Sequence, residues 1–183
     1  MSAKRVINVG GGGRTLPPAY EGWQQDLLDI DPNVSPDIVC DAREMSSKLE
    51  TAIYDAVYCS HTLEHFYRHD VPLVLKGFLY VLKPGGLVDI AVPNISSLFA
   101  EMFSRGLDID DVWYRTTEGR PIMFHDVLYG WSAAMESGNL FYAHKCGFTG
   151  LKLGTALHQA GFENITVGKE TMNIFAKATK PVK

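Results

Sequence analysis

The sequence predicts a single α/β domain: a mostly parallel β-sheet with helices on its faces. Two patterns carry this. Short β-branched apolar runs recur along the chain and stop at glycine or at a carboxylate, as buried strands feeding loops do. Between two of those runs lies a stretch with helical periodicity, and strand, helix, strand implies a parallel crossover. The length, 183 residues, makes one domain the default and lets the chain bury a core without staples.

The elements follow in order. Val6-Ile7-Asn8-Val9 is the first strand and ends at four consecutive glycines, Gly10 to Gly13. Leu27 to Asp31, closed by Pro32, and Asp37 to Asp41, opened by Pro36, are short strands with acidic tips. Tyr54 to Cys59 is a fourth strand, and Leu87 to Val92 a fifth after a Lys83-Pro84-Gly85-Gly86 turn. Between them Val71, Leu75, Phe78, Leu79 and Leu82 recur every three to four residues, the mark of an amphipathic helix stopping before Pro84. Ile95 to Arg105 and Gly150 to Gln159 are further helices, each followed by a glycine stop. Glu163 to Gly168 and Met172 to Ala178 lie close enough to pair antiparallel. Residues 107–149 fit none of these patterns and are too aromatic for a passive loop.

Composition narrows the function classes. Seventeen Lys and Arg against 21 Asp and Glu leave a net charge of −4, so no basic surface advertises nucleic acid or an anionic membrane. The 46% hydrophobic, 21% charged and 11% aromatic content is that of an ordinary globular domain. Cys40, Cys59 and Cys146 build neither a disulfide framework nor a four-cysteine zinc site, which fits a reducing compartment. The run after Met1-Ser2-Ala3-Lys4-Arg5 is too brief for a signal core, and no apolar stretch approaches membrane-spanning length. A cytoplasmic location is expected.

A glycine-rich turn after a first parallel strand lies where open α/β sheets bind ligands, and bare backbone there admits close approach. Asp29 stands 16 residues beyond Gly13, near the offset at which a carboxylate accepts hydrogen bonds from a ribose diol, with Asp31 its close competitor. Asp41 at the third tip suits an exocyclic amine such as adenine's, or equally a helix cap before Arg43-Glu44-Met45. The segment Thr15 to Gly22 is broken by Pro17 and Pro18, so no phosphate-binding helix is expected after the glycines. A nucleoside without phosphates fits better than a dinucleotide.

With these residues in view the chain resembles the class I S-adenosylmethionine-dependent methyltransferases, particularly the small group labelled type 11. Four segments in family order carry the resemblance: Val6 to Gly12, Leu28 to Pro32, Tyr54 to His65, and Val81 to Gly86 continuing through Val92-Pro93-Asn94. The resemblance implies a Rossmann-like three-layer sandwich whose seven-stranded, mostly parallel sheet has one antiparallel strand. It implies S-adenosylmethionine as cofactor. Gly10, Gly11 and Gly12 would pass beneath its methionine part, Asp29 or Asp31 would bind the ribose, Asp41 with Ala42 would flank adenine, and Ser60 with His61 would lie beside the sulfonium. Asn8 departs from the family's usual acid and Arg14 from its third glycine.

Methyl transfer needs an aligned nucleophile, and a base where that nucleophile carries a proton. His61 is the candidate base, against the alternative that it only shapes the pocket; Glu64 and His65 are read as orienting the turn. In the aromatic segment His125, Tyr129, His144 and Lys145 are candidate contacts to a small polar acceptor, a metabolite or sugar-like group. The segment itself, 107–149, overhangs the strand ends as a substrate-side insertion or lid within one domain spanning 1–183. Its aromatics also offer a face for a homodimer. Two other readings compete. His61-Thr62-Leu63-Glu64-His65, with His69, matches the H-x-x-E-H pattern of inverted zinc peptidases, but it follows a strand rather than lying on a helix and shows no further ligand segment, so no metal is expected. A non-catalytic cofactor-binding or protein-interaction domain is the other.

Overall fold

The computed structural model describes residues 3–13, 15–170 and 172–182. Met1-Ser2 of the N-terminal stretch and Arg14, set against the family's third glycine, lie outside them. In chain order the elements are β1 (Arg5–Val9), β2 (Gln24–Asp29), β3 (Ile38–Val39), α1 (Met45–Lys48), β4 (Tyr54–Ser60), α2 (Val71–Val81), β5 (Leu82–Pro93) and α3 (Ile95–Ser104). There follow β6 (Val112–Arg115), β7 (Pro121–Met123), α4 (Phe124–Tyr129), α5 (Ser132–Glu136), α6 (Gly150–Ala160), β8 (Glu163–Lys169) and β9 (Asn173–Thr179).

Seven strands form one sheet in the order β3-β2-β1-β4-β5-β9-β8. The pairs β3/β2, β2/β1, β1/β4 and β4/β5 are parallel, and β9 runs antiparallel to both its neighbours. The order reverses between β1 and β4, so the loops leaving those two strands diverge and open a crevice, the place where such sheets bind ligands.

On one face α1, α2 and α6 cover the main core, which holds Ile7, Val9, Leu28, Val57, Ile90 and Val92 from the strands and Leu75, Phe78 and Leu157 from the helices. Phe78 is fully buried, and its truncation to Ala would cost about 3–5 kcal/mol. Helix α2 stops at Val81 because Pro84 biases the preceding residue to extended backbone; Leu82, at ψ 139°, already begins β5. The expected turn at Lys83–Gly86 is therefore the irregular start of a longer strand, with a register shift opposite Tyr54 and Ala56.

The other face differs from a helix-covered sheet. Among the described residues no α-helix links β1 to β2; a 3₁₀ turn, Pro18–Tyr20, lies there instead, as the prolines predict. Buried Tyr20, with Leu16 and Trp23, packs on Val6, Ala56, Tyr58 and Leu87 in place of a helix. The Tyr20 hydroxyl donates to Asp89 Oδ2 at 3.1 Å, so its polar end is satisfied inside that layer.

Strand β2 starts and ends earlier than Leu27–Asp31 suggests. Its polar start pairs with β1 because Arg5 and Asp26 meet at 2.7 Å, and its end is set where Asp31 caps the 3₁₀ turn Pro32–Val34. Residues 107–149, unread as secondary structure, fold into the β6/β7 hairpin, α4 and α5, and their Trp113 and Phe124 form a small core with Leu98 of α3.

Candidate active site

A cavity of about 750 Å³ opens at the carboxyl ends of the parallel strands. Its walls include Gly10 to Gly13, Asp29, Asp31, Asp41, Ala42, Ser60 and His61 from the sheet edge, and Trp131, Tyr142, His144 and Lys145 from the 107–149 segment. All nine predicted positions from the strand ends and two of the four from the aromatic segment thus meet in one space.

The glycine loop is held by its neighbours in two different ways. Gly10 has a left-handed backbone at φ 67°, and a Cβ there would lie 2.5 Å from Thr62 Oγ1 and 3.0 Å from Thr62 Cβ. The Thr62 hydroxyl in turn donates to the Val9 carbonyl at 3.0 Å, so the exits of β1 and β4 are stitched together across Gly10. Gly12, at φ 53°, and Gly13 face open space among the described residues, since a Cβ at either would meet none of their atoms within 4 Å. This bare stretch is a cradle into which a ligand can settle.

Asp29 closes that cradle. Its Oδ2 accepts from the Gly12 amide at 3.2 Å and its Oδ1 from the Asp31 amide at 3.0 Å. Each oxygen keeps a further lone pair for a diol. Asp31 Oδ1 takes both the amide and the side-chain amide of Asn33, at 2.9 and 2.8 Å, and so acts first as a turn cap. Asn8 is buried beneath Gly11 and does not line the cavity; its Oδ1 has no hydrogen-bond partner among the described residues.

Asp41 is at the cavity wall but its carboxylate is occupied. It caps the turn Ala42–Glu44 by accepting from the Arg43 amide at 2.9 Å, and it takes the Arg43 guanidinium on both oxygens, Nη2 at 2.6 Å. Burial alone would raise the Asp41 pKa, yet these bonds outweigh it and hold the carboxyl below its ordinary range. Arg43 also reaches Asp70 at 3.3 Å. An adenine amine can use Asp41 only if Arg43 yields one oxygen.

The exit of β4 concentrates chemistry. His61 adopts a left-handed backbone at φ 54°, unusual for a residue with a side chain, and its amide donates to the Ala91 carbonyl at 2.9 Å. This turns its ring toward Glu64, with Nδ1 3.3 Å from Oε1. Glu64 is 1% exposed, and among the described residues neither carboxylate oxygen has a partner with hydrogen-bond geometry. Burial pushes its pKa up, but His61, His65 and His144 together hold it below the usual value.

His144 comes from the far segment and is clamped there. Its amide donates to Tyr129 and its Nδ1 faces the Val127 carbonyl, both at 2.9 Å, while the Lys145 amide donates to the Glu64 carbonyl at 2.7 Å. Gly130 permits this approach, because a Cβ there would collide with the Tyr142 carbonyl and lie 2.9 Å from the His144 amide. Burial, first, lowers the His144 pKa. Lys145 extends its ammonium over the Tyr67 ring at 5.3 Å.

Two predicted acceptor contacts, His125 and Tyr129, do not line the cavity. They sit four residues apart on α4, share its outer face and pack ring on ring at 5.0 Å, whereas Asp126 and Val127 face inward. Asp126 is structural, accepting from the Met123 amide at 3.1 Å and the Ser132 hydroxyl at 2.6 Å. Sequence reasoning also passed over Arg120, whose guanidinium lies 4.6 Å from the Trp131 ring at the cavity wall, and Glu64, which it took for a turn residue. The signal for Glu64 was present in the H-x-x-E-H spacing, but its burial was not.

The residues fit a nucleoside cofactor carrying no phosphate. Open backbone at Gly12 and Gly13 and a carboxylate with spare lone pairs at Asp29 suit a ribose and a methionine tail, and no helix N-terminus follows the loop among the described residues. A family profile described as a methyltransferase domain matches residues 2–167. A search of curated proteins found no match. Among solved structures the chain is similar to a protein from Pyrococcus horikoshii, at 16% identity and TM-score 0.65 over 98% of this chain and 82% of that one. A SAM-dependent methyltransferase from Archaeoglobus fulgidus gives 15% and 0.63 over 97% and 86%. The 1,6-didemethyltoxoflavin-N1-methyltransferase of Burkholderia thailandensis, solved with its substrate and S-adenosylhomocysteine, gives 15% and 0.56 over 98% and 72%. With nine-tenths of its length matched by that profile, on a seven-stranded sheet with one reversed strand, the chain belongs to the methyltransferase-domain family as a class I S-adenosylmethionine-dependent methyltransferase.

Proposed function

We propose that the protein methylates a small polar acceptor held between the β4 exit and the 107–149 segment. The observation that carries this is the single cavity in which Gly10–Gly13, Asp29 and His61 face Trp131, Tyr142 and His144. When bound, S-adenosylmethionine supplies an electrophilic methyl group on a sulfonium.

The chain's own residues do the rest. Gly12 and Gly13 would offer open backbone to the methionine tail, and Asp29, fixed by the Gly12 and Asp31 amides, would accept from the ribose diol. The Ala42 region would flank the base, and Ser60 and His61 would stand beside the sulfonium. His61, half-exposed and backed by the Glu64 carboxylate, takes the acceptor's proton where it has one. Trp131 and Tyr142, with ring centroids 5.5 Å apart, form an apolar wall that excludes water from a displacement needing alignment more than acid–base assistance.

Calorimetric titration with S-adenosylmethionine, followed by a screen of hydroxyl- and amine-bearing metabolites for methyl transfer, tests the reading. Binding with turnover on a small acceptor is expected. Absence of cofactor binding defeats it, and binding with turnover only on nucleic acid or protein defeats the acceptor assignment.

A further inference from the structure

We infer that Glu64, His65 and His144 form a divalent transition-metal site in the wall of the acceptor cavity. Donor atoms of these three side chains lie within 4.8 Å of one another, and all three residues line the cavity. Zinc–nitrogen and zinc–oxygen bonds of about 2.0–2.2 Å place donors about 3–4 Å apart, so the three need draw in by no more than about 2 Å.

Three features favour a cation. Glu64 is a buried carboxylate neither of whose oxygens has a hydrogen-bond partner among the described residues, so its lone pairs stay available to a cation. The two imidazoles are each oriented by one nitrogen. His65 Nδ1 faces the Ala143 carbonyl at 3.1 Å and His144 Nδ1 the Val127 carbonyl at 2.9 Å. A carbonyl only accepts, so Nδ1 donates in each ring and Nε2 is the nitrogen left for a metal, which is how outer-shell partners orient metal-binding histidines. Third, the ligands come from two segments that the fold locks together: the Lys145 and Cys146 amides donate to the Glu64 carbonyl at 2.7 and 3.2 Å. His144 is the further ligand segment that the H-x-x-E-H spacing lacks on its own. One carboxylate and two imidazoles suit zinc, cobalt or iron rather than magnesium or calcium.

Three protein ligands leave coordination positions open, as in catalytic rather than structural sites. The open side faces the cavity, where an acceptor oxygen or nitrogen would bind. That last step rests on the methyltransferase reading; the metal site itself does not. The competing explanation is that a protonated His61, 3.3 Å from Glu64 on its other side, balances the carboxylate without any metal.

The test is calorimetric titration of chelator-stripped full-length protein with zinc chloride, with cobalt(II) absorption spectra as a second readout and S-adenosylhomocysteine titrated in parallel. One zinc per chain is expected. Glu64→Gln and His144→Ala should each weaken it by more than the roughly 10–100-fold that disturbing an outer-shell partner costs. His69→Ala, at a side chain 80% exposed and outside the cluster, should leave it unchanged. His65→Ala serves as a further ligand variant if either of the first two fails to fold. No saturable zinc in the wild type, ligand variants that bind as the wild type does, or loss of binding in His69→Ala overturns the site. Zinc binding without S-adenosylhomocysteine binding would uphold the site and defeat the cofactor reading; the reverse would defeat the site alone.

Discussion

Replacing Gly10 and Gly12 separately with Ala distinguishes a glycine kept for the fold from one kept for the ligand. Both have left-handed backbone, φ 67° and 53°, so both variants bear a strain of about 1–2 kcal/mol. Both also gain the same compensation, about 0.4–1 kcal/mol, from a stiffer unfolded chain. These contributions cancel in the comparison. What remains is contact: at Gly10 a Cβ meets Thr62 Oγ1 at 2.5 Å and its Cβ at 3.0 Å, and at Gly12 it meets nothing within 4 Å. Overpacking of this kind costs about 1–3 kcal/mol, so Gly10→Ala should be less stable than Gly12→Ala by that amount.

Urea unfolding measures the difference, with equal m-values required for the comparison to hold. Thr62→Ala removes the nearest atoms and leaves the 3.0 Å contact, so in the double variant it should recover about 1 kcal/mol beyond additivity. Cofactor affinity should show the opposite order. Gly12→Ala places a methyl group in the cavity and should weaken S-adenosylhomocysteine binding at least tenfold, about 1.4 kcal/mol. Equal stabilities for the two variants, or cofactor affinity intact in Gly12→Ala, would refute the division of labour.

Asp29→Ala should lower cofactor affinity more than Asp31→Ala, because Asp29 alone is tied to the Gly12 amide; calorimetry showing the reverse order would assign the ribose to Asp31. Turnover in His61→Ala should fall by roughly 10²-fold, the low end for a lost general base, with cofactor affinity retained, and an unchanged rate would leave His61 a pocket-shaping residue. Asp55 supplies an acid-stability marker. Burial raises its pKa, but the Lys83 ammonium at 2.8 Å and the Arg5 amide at 2.9 Å outweigh that and hold it below the ordinary 3.8. A carboxyl depressed in the fold contributes stability above its unfolded pKa and loses it as pH falls through the folded one. Thermal melts from pH 6 to pH 3 should therefore drop more steeply for the wild type than for Asp55→Asn, and parallel curves would remove Asp55 from the acid response.

The sheet was legible because its buried strands advertise themselves. Ile7, Val57 and Val88 sit in short, mostly apolar runs, and glycine or acid follows the first three strands at Gly10, Asp31 and Asp41. Gln24 and Gln25 gave no such signal, since the start of β2 is solvated and is held by backbone pairing and the Arg5–Asp26 contact. The 107–149 segment stayed opaque for a related reason. Its helices are five and six residues long, too short to show a period, and its order comes from tertiary contacts such as Trp113 against Phe124 at 5.5 Å. His125 and His144 looked equivalent as residue types; only the fold turns one outward onto Tyr129 and the other inward onto Glu64.

The β4 exit is where local rules are broken together. His61 takes a backbone conformation that costs a residue with a side chain about 1 kcal/mol or more, and three residues on, Glu64 buries a carboxylate whose oxygens no donor reaches in hydrogen-bond geometry. A sequence selected for stability alone would place glycine at the first and an apolar residue at the second. The two penalties support each other: the left-handed turn brings the His61 ring over Glu64, and the Glu64 carbonyl, accepting from Lys145 and Cys146, draws His144 to the same point. Relaxing either would separate the three imidazoles. Glu64→Gln should therefore melt lower than the metal-free wild type at neutral pH, because, against the upward push of burial, the three imidazoles hold the Glu64 carboxyl below its usual range and so favour the charged form in the fold, and it should still lose zinc. A higher melting temperature would mean that the histidines do not compensate the buried carboxylate, and that the cluster is not a charge-balanced ligand set.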